Sequence, residues 1–141
     1  DYAHTPDALR NVLNLARSVC DRRVICVFGC GGDRDTSKRP EMARIGVTNS
    51  DIAIITSDNP RTEDPEKIIK DMTAGITDDI RNRSWEVITN RRSAIARALD
   101  IADSGDLVLL AGKGHEDYQV LGTEKFPFNE ELIVKEIICS G

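Results

Sequence analysis

The chain has 141 residues, enough for one domain with its own core and too few for two of ordinary size, so residues 1–141 are predicted to form a single domain. Aromatic residues make up only 4% and the formal net charge is −5, which argues against base-stacking platforms and a basic face, so we predict no nucleic-acid partner. No apolar run approaches the roughly 20 residues that span a bilayer, and we expect no membrane association.

The N-terminus and the cysteines indicate a cytoplasmic protein. Residues 1–6 contain neither a basic nor an apolar segment, so they do not resemble a signal peptide. None of the four cysteines forms a Cys-x-x-Cys pair, which favours reduced thiols in a cytosol-like compartment. With His4 and His115 as the only histidines, no metal site is predicted.

Apolar spacing predicts alternating helices and strands along the chain. A helix begins at Pro6, with Thr5 as its N-cap, and ends at about Cys20. Strands are predicted over residues 24–28, 52–55, 85–88 and 107–111, and helices from residue 40, from residue 65 to about 75, and over 91–102. An extended hairpin over residues 118–128, turning at Gly122, and a helix over residues 130–138 complete the pattern.

This order of elements indicates an α/β fold. Strands that alternate with helices of this length predict a mostly parallel sheet with helices on both faces. The C-terminal hairpin is expected to add an antiparallel edge to that sheet.

The loop over residues 56–61, Thr-Ser-Asp-Asn-Pro-Arg, places opposite charges at the end of a buried strand. Pro60 disfavours both a ladder hydrogen bond and a helical start at Asn59, so Asp58 and Arg61 are held on a stiff loop. A fixed carboxylate and guanidinium at this edge suit a zwitterion such as an amino acid. A plain turn with a solvent-exposed arginine fits this loop, taken alone, equally well.

Two further loops are predicted to converge with it, because the carboxyl ends of parallel strands share one edge. They begin at Gly29 and Gly112, and neither completes a nucleotide-binding motif: the first has Arg34 where a third glycine belongs, and the second lacks the earlier glycine and the Ser/Thr of a phosphate loop. The three loops together are predicted to form a polar pocket with charges of both signs. Its side chains would be those of Arg34, Lys38, Arg39, Asp58, Asn59, Arg61, Lys113, His115 and Glu116. His115 is interpreted as an orienting hydrogen-bond donor.

Four blocks carry a family resemblance, and they extend over nearly the whole chain. They are Asp-Tyr-Ala-His-Thr-Pro-Asp at residues 1–7, Val-Phe-Gly-Cys-Gly-Gly-Asp-Arg-Asp at 27–35, residues 56–61, and Ala-Gly-Lys-Gly-His-Glu-Asp-Tyr-Gln at 111–119. In this order and spacing the chain resembles the C-terminal domain of the Mur ligases, and within them the members that add 2,6-diaminopimelate in peptidoglycan synthesis.

The resemblance implies a Rossmann-like fold and a ligase that uses ATP and Mg²⁺ to activate a carboxylate of UDP-MurNAc-L-Ala-D-Glu as an acyl phosphate, which the amine of meso-diaminopimelate attacks. It implies that this domain binds the amino acid and closes over ATP, while domains absent from this chain hold most of the ATP and the uridine nucleotide. We expect a monomer, and we expect the isolated domain to be inactive. The implied diaminopimelate site comprises Arg34, Asp58, Asn59, Pro60, Arg61, Gly112 and Glu116.

The same resemblance implies roles for three N-terminal residues. Asp1, Tyr2 and His4, which the sequence alone slightly favours as tail residues, would face the nucleotide on the neighbouring domain. No catalytic base or metal ligand is assigned within this chain.

Arg61 is predicted to select the amino acid. Diaminopimelate is lysine with an extra carboxylate at its far end, which Arg61 can bind with two parallel hydrogen bonds, while Glu116, alone or with Asp58, takes the neighbouring ammonium. Two alternatives remain: a ligase of this kind that adds lysine, and a Mur-like domain retained as a non-catalytic interaction subunit.

Overall fold

The computed structural model describes residues 4–114 and 116–140, apart from the side chain of Ser140. Within them, four strands form a parallel sheet: β1 (Val24–Phe28), β2 (Ile52–Ile55), β3 (Trp85–Val87) and β4 (Leu107–Leu110). The spatial order is β3-β2-β1-β4, so β1 and β2 are central and covered on both faces. Their uninterrupted apolar sequences follow from that burial.

Five helices accompany the strands: α1 (Pro6–Val19), α2 (Lys38–Asn49), α3 (Pro65–Thr73), α4 (Arg91–Ile101) and α5 (Glu130–Ser140). Side-chain caps fix three of the starts. Thr5 Oγ1 accepts from the Ala8 N–H at 3.1 Å, Asp64 accepts from Glu66, and Asn90 accepts from Ser93.

The helices divide between the two faces of the sheet. Buried side chains of α1, α2 and α3, such as Leu13, Met42 and Ile68, pack with Cys26 and Phe28 of β1. On the opposite face, Ala94 and Ala98 of α4 and other apolar side chains pack against Ile25, Val27 and Ile54, and α5 lies against α4. The α/β fold with a parallel sheet between helices is confirmed.

The C-terminal hairpin is a separate two-stranded antiparallel sheet, made of β5 (Tyr118–Leu121) and β6 (Glu124–Pro127). The sequence suggested that the hairpin would extend the edge of the parallel sheet, but the two sheets are separate. The hairpin backbone instead bonds to the loop after β2, through a parallel bridge between Arg61 and Leu121. The hairpin therefore lies at the edge of the parallel sheet where the strands end and the loops that follow them begin.

A buried arginine joins the ends of two strands at that same edge. Arg91, the first residue of α4, donates to the carbonyl oxygens of Ser57 at 3.1 Å and Ala111 at 3.0 Å, and its Nε donates to Glu130 of α5 at 2.7 Å. The loops that follow β2 and β4 are thus tied to one side chain.

Among the described residues, no helix has the length and apolar character needed to cross a membrane.

Candidate functional site

A cavity of about 410 Å³ opens where the loops after β1, β2 and β4 meet. Charges of both signs line it: Arg34, Lys38 and Arg61 are cationic, and Asp35, Asp58 and Glu116 are anionic. The full lining comprises His4, Gly29, Cys30, Gly31, Arg34, Asp35, Lys38, Met42, Asp58, Arg61 and Glu116. The predicted convergence of three loops at one sheet edge is confirmed.

Asp58 is the most deeply buried acid of the lining, with 1% of its surface exposed. Its Oδ1 lies 3.2 Å from the ammonium of Lys113, an ion pair whose angles are not those of a hydrogen bond, and this oxygen accepts no hydrogen bond from the described residues. Its Oδ2 lies 3.9 Å from Nδ1 of His4. Because Oδ1 is buried against Lys113, a ligand in the cavity could meet this carboxylate only from its other side.

Lys113 is buried behind Asp58 and does not line the cavity. Its ammonium donates to Asn59 Oδ1 and to the carbonyl oxygen of Tyr118, both at 3.0 Å. Burial lowers the pKa of Lys113, and the neighbouring Asp58 carboxylate opposes that shift. Lys113 therefore acts as an internal counter-charge for Asp58.

The side chain of Asn59 is occupied by protein partners. Besides Lys113, its Oδ1 accepts from the Val120 N–H at 3.0 Å, and its Nδ2 donates to Glu116 Oε1 at 3.3 Å. These bonds connect the loop after β2 with Glu116 and with the hairpin, so Asn59 orients its neighbours.

Arg61 is half-buried, and its backbone has a φ of 54°, which is uncommon for a residue other than glycine. Its Nη1 donates to the carbonyl oxygens of Gly32 at 3.0 Å and Asn59 at 3.4 Å. None of the described residues accepts from its Nε or Nη2. That edge of the guanidinium has the geometry that binds a carboxylate through two parallel hydrogen bonds.

The loop after β1 supplies the remaining charged lining. Arg34 is exposed and donates to the Asp33 carbonyl oxygen at 2.9 Å, while Asp35 accepts from the backbone and hydroxyl of Ser37. Burial raises the pKa of the Cys30 thiol to about 12, so this cysteine stays protonated.

Backbone contacts lock the first two loops together. The Gly32 N–H donates to the Asn59 carbonyl oxygen at 2.7 Å, and a Cβ on Gly32 would lie 1.8 Å from the Pro60 oxygen. The Asp33 carboxylate accepts from the hydroxyl of Thr62 at 2.7 Å. Only a residue without a side chain permits the close approach of position 32 to the Pro60 backbone.

The predicted site residues fall into three groups. Arg34, Asp58, Arg61, Glu116 and His4 line the cavity. Asn59, Pro60 and Gly112 are buried and do not line it, although a Cβ on Gly112 would lie 3.9 Å from the Asp58 carboxyl group. Asp1, Tyr2 and His115 lie outside the described residues.

Two cations expected in the pocket are buried elsewhere, so that expectation was wrong. Arg39 is 1% exposed, pairs with Glu63 at 2.6 Å and Asp71 at 2.9 Å, and donates to the Gly31 carbonyl oxygen at 3.2 Å, so it connects the loops after β1 and β2. Lys113 pairs internally as described above. A charged residue is buried when partners from distant segments reach it, and local sequence gives little sign of that.

Sequence reasoning missed Met42, which enters the lining from α2, and Gln119, whose Nε2 donates to the Asp58 carbonyl oxygen at 2.7 Å. Among the residues that the structure describes, no group of three or more His, Cys, Asp and Glu side chains could hold a metal ion.

Comparison with known proteins identifies the family. The family model described as "Mur ligase, glutamate ligase domain" matches residues 1–114. The chain belongs to this Mur ligase family.

Close relatives carry one name. The UDP-N-acetylmuramoyl-L-alanyl-D-glutamate–2,6-diaminopimelate ligase of Clostridium botulinum is 54% identical over 98% of the chain, and that of Trichormus variabilis is 58% identical over 92%. The chain spans 28% and 26% of those relatives, about a quarter of their length.

A solved structure agrees with the sequence matches. A UDP-N-acetylmuramoyl-L-alanyl-D-glutamate–2,6-diaminopimelate ligase superimposes with a TM-score of 0.93 at 44% identity, over 99% of this chain and 28% of that one. E. coli FolC in complex with ADP, at 18% identity and a TM-score of 0.58, shares the fold.

Proposed function

We propose that this chain is the amino-acid-binding domain of an ATP-dependent ligase that adds meso-diaminopimelate to UDP-MurNAc-L-Ala-D-Glu. The names of the close relatives support the reaction. The observation that carries the proposal is that Arg61, Asp58 and Glu116 line one cavity, because a diamino-diacid needs cationic and anionic partners together.

In this proposal Arg61 binds the distal carboxylate. Its Nη1 is anchored by Gly32 and Asn59, which fixes the guanidinium plane, and its Nε–Nη2 edge is available for two parallel hydrogen bonds. Lysine would leave this edge unpaired, and an unpaired polar group in a binding site gives discrimination of ~10⁴.

The acids bind the ammonium groups. Glu116 is oriented by Asn59, and Asp58 is held by its ion pair with Lys113, so neither carboxylate has to be ordered when the ligand arrives. Arg34 adds a second guanidinium for an anionic group of the substrate.

ATP and Mg²⁺ would supply the activation of the substrate carboxylate in the complete ligase. The described residues contain neither a metal-binding cluster nor a phosphate loop, so they do not fit this role. We assign binding of the nucleotide and metal to parts of the ligase beyond this chain. The domain would close over them, and alone it would not turn over.

Kinetics of the complete ligase test the proposal. The wild type is expected to use meso-diaminopimelate with a kcat/KM ~10⁴ times that for lysine, and Arg61→Ala to remove most of this preference. Arg10→Ala, an exposed arginine of α1, serves as the matched control. Unchanged preference in Arg61→Ala would overturn the assignment. A wild type that uses lysine with a higher kcat/KM than meso-diaminopimelate would indicate a lysine-adding ligase. No turnover of either amino acid would indicate a non-catalytic subunit.

A further inference from the structure

Strand β5 contacts the loop after β2 through both side chains and backbone. The Gln119 amide donates to the Asp58 carbonyl oxygen at 2.7 Å, and the Val120 N–H donates to Asn59 Oδ1 at 3.0 Å. The first bond holds the backbone of the residue whose carboxylate enters the cavity. The second holds the residue that orients Glu116.

Arg61 is held through its backbone by β5 and by the turn that follows it. Its N–H donates to the Val120 carbonyl oxygen at 3.0 Å, and its own carbonyl oxygen accepts from the Gly122 N–H at 2.6 Å. An arginine with a φ of 54° is in the left-handed region, which costs free energy unless surrounding bonds compensate. These two hydrogen bonds bracket the strained residue on both sides.

The hairpin contributes little to the hydrophobic core. None of residues 118–127 belongs to either cluster of apolar side chains in the described chain, and all four residues of β6 are exposed. The polar contacts of β5 are concentrated on the loop that carries Asp58 and Arg61. The position of the hairpin is therefore explained better by these contacts with the cavity-lining loop than by packing in the hydrophobic core.

We propose that the β5–β6 hairpin is a positioning element for amino-acid selection, in which Gln119 fixes the Asp58 backbone and Gly122 fixes the left-handed conformation of Arg61. This inference rests on the proposed function, since it assigns the hairpin to the selection of diaminopimelate. Gln119 and Gly122 act through Asp58 and Arg61 and are positioning residues.

Gly122 offers a clean perturbation, because its φ is 66° and a Cβ there would meet nothing within 4 Å. A change at this position therefore acts through backbone conformation without a clash. Valine disfavours positive φ strongly, whereas asparagine adopts it more readily. Gly122→Val should displace the N–H that holds Arg61, and Gly122→Asn should recover most of the loss.

The test measures kcat and KM of the complete ligase for meso-diaminopimelate and for lysine. Gly122→Val is expected to lower the preference for diaminopimelate about tenfold, mainly through KM, because lysine has no distal carboxylate for Arg61 to bind. Gln119→Ala is expected to raise KM for diaminopimelate roughly 3- to 10-fold with little change in kcat. Glu124→Gln, on the exposed strand β6, is the control.

Arg61→Ala is measured in parallel. If it abolishes the preference while Gly122→Val and Gln119→Ala both behave as the wild type, the positioning role is overturned and the proposed function stands. If Arg61→Ala keeps the preference, the proposed function fails, and the inference fails with it. Thermal unfolding checks that each variant is folded. Should Gly122→Val not fold, the KM and kcat of Gln119→Ala decide.

Discussion

The ammonium of Lys113 lies 3.2 Å from Oδ1 of Asp58, and neither side chain is more than 2% exposed. Two opposite charges are thus kept out of water directly behind the cavity wall. Breaking such a pair on one side leaves the other charge buried without compensation, which costs far more than the pair contributes as a whole.

Lys113→Met is therefore expected to lower the free energy of unfolding by about 3–5 kcal/mol, measured by urea denaturation of the domain. Lys135→Met removes an exposed ion pair on α5 and should change it by less than about 1 kcal/mol. The double variant Lys113→Met/Asp58→Asn should regain part of the loss. A cost for Lys113→Met as small as that of the control would contradict the buried-pair interpretation.

Two adjacent glycines should respond differently to alanine. On Gly32 a Cβ meets the Pro60 carbonyl oxygen at 1.8 Å, so Gly32→Ala must separate two backbones and should destabilise the domain by about 1–3 kcal/mol. On Gly31 it meets Nη1 of Arg61 at 2.9 Å, and that side-chain end can move.

Gly31→Ala should consequently change stability little and raise KM for diaminopimelate in the complete ligase. Urea denaturation and steady-state kinetics of both variants check this contrast. Equal loss of stability in the two would show that the approach of Gly32 to Pro60 is not the tighter constraint.

Glu116→Gln tests the partner of the distal ammonium. The wild-type ligase should prefer diaminopimelate over 2-aminopimelate, which lacks one amino group, by roughly 10-fold or more, because a charge-assisted hydrogen bond contributes about 1.5–3 kcal/mol. In Glu116→Gln this preference should largely disappear. A preference that survives the substitution would assign the ammonium to Asp58 instead.

Acid stability should depend on Asp106, at the opposite edge of the sheet. Hydrogen bonds from Arg23, followed by the Asp103 N–H, lower the pKa of Asp106 from 3.8 to about 2. A lowered pKa means that the stabilisation is fully present above about pH 4 and is lost as the pH falls towards 2.

The difference in free energy of unfolding between wild type and Asp106→Asn should therefore shrink between about pH 4 and pH 2. Urea denaturation across that range measures it. Asp100→Asn, an exposed control on α4, should show a small difference that does not vary comparably with pH. A constant difference for Asp106→Asn would contradict the assigned pKa.

The elements that local chemistry controls were predicted closely. Strand β1 runs from Val24 to Phe28, as its apolar, β-branched sequence indicates, and α1 begins at Pro6 behind its Thr5 cap. Helix α2 begins at Lys38, two residues before the predicted start, because a proline in the first turn needs no N–H partner and so does not mark the first residue.

Long-range contacts limited the remaining predictions. The convergence of Arg61 and Glu116 follows from the parallel sheet that the alternation of elements predicts, because the carboxyl ends of parallel strands share one edge. The docking of the hairpin on Arg61 instead depends on pairing between distant segments, and a two-stranded sequence pattern does not specify its partner. The burial of Arg39 likewise depends on Glu63 and Asp71, which belong to later segments.

Arg91 has a bearing on the free energy of ligand binding. One guanidinium bonds to the carbonyl oxygens of both Ser57 and Ala111, so it connects the segments that lead to Asp58 and to Glu116. A ligand that reaches the cavity would then meet these two carboxylates with their segments already joined, and none of its binding free energy would be used to bring them together.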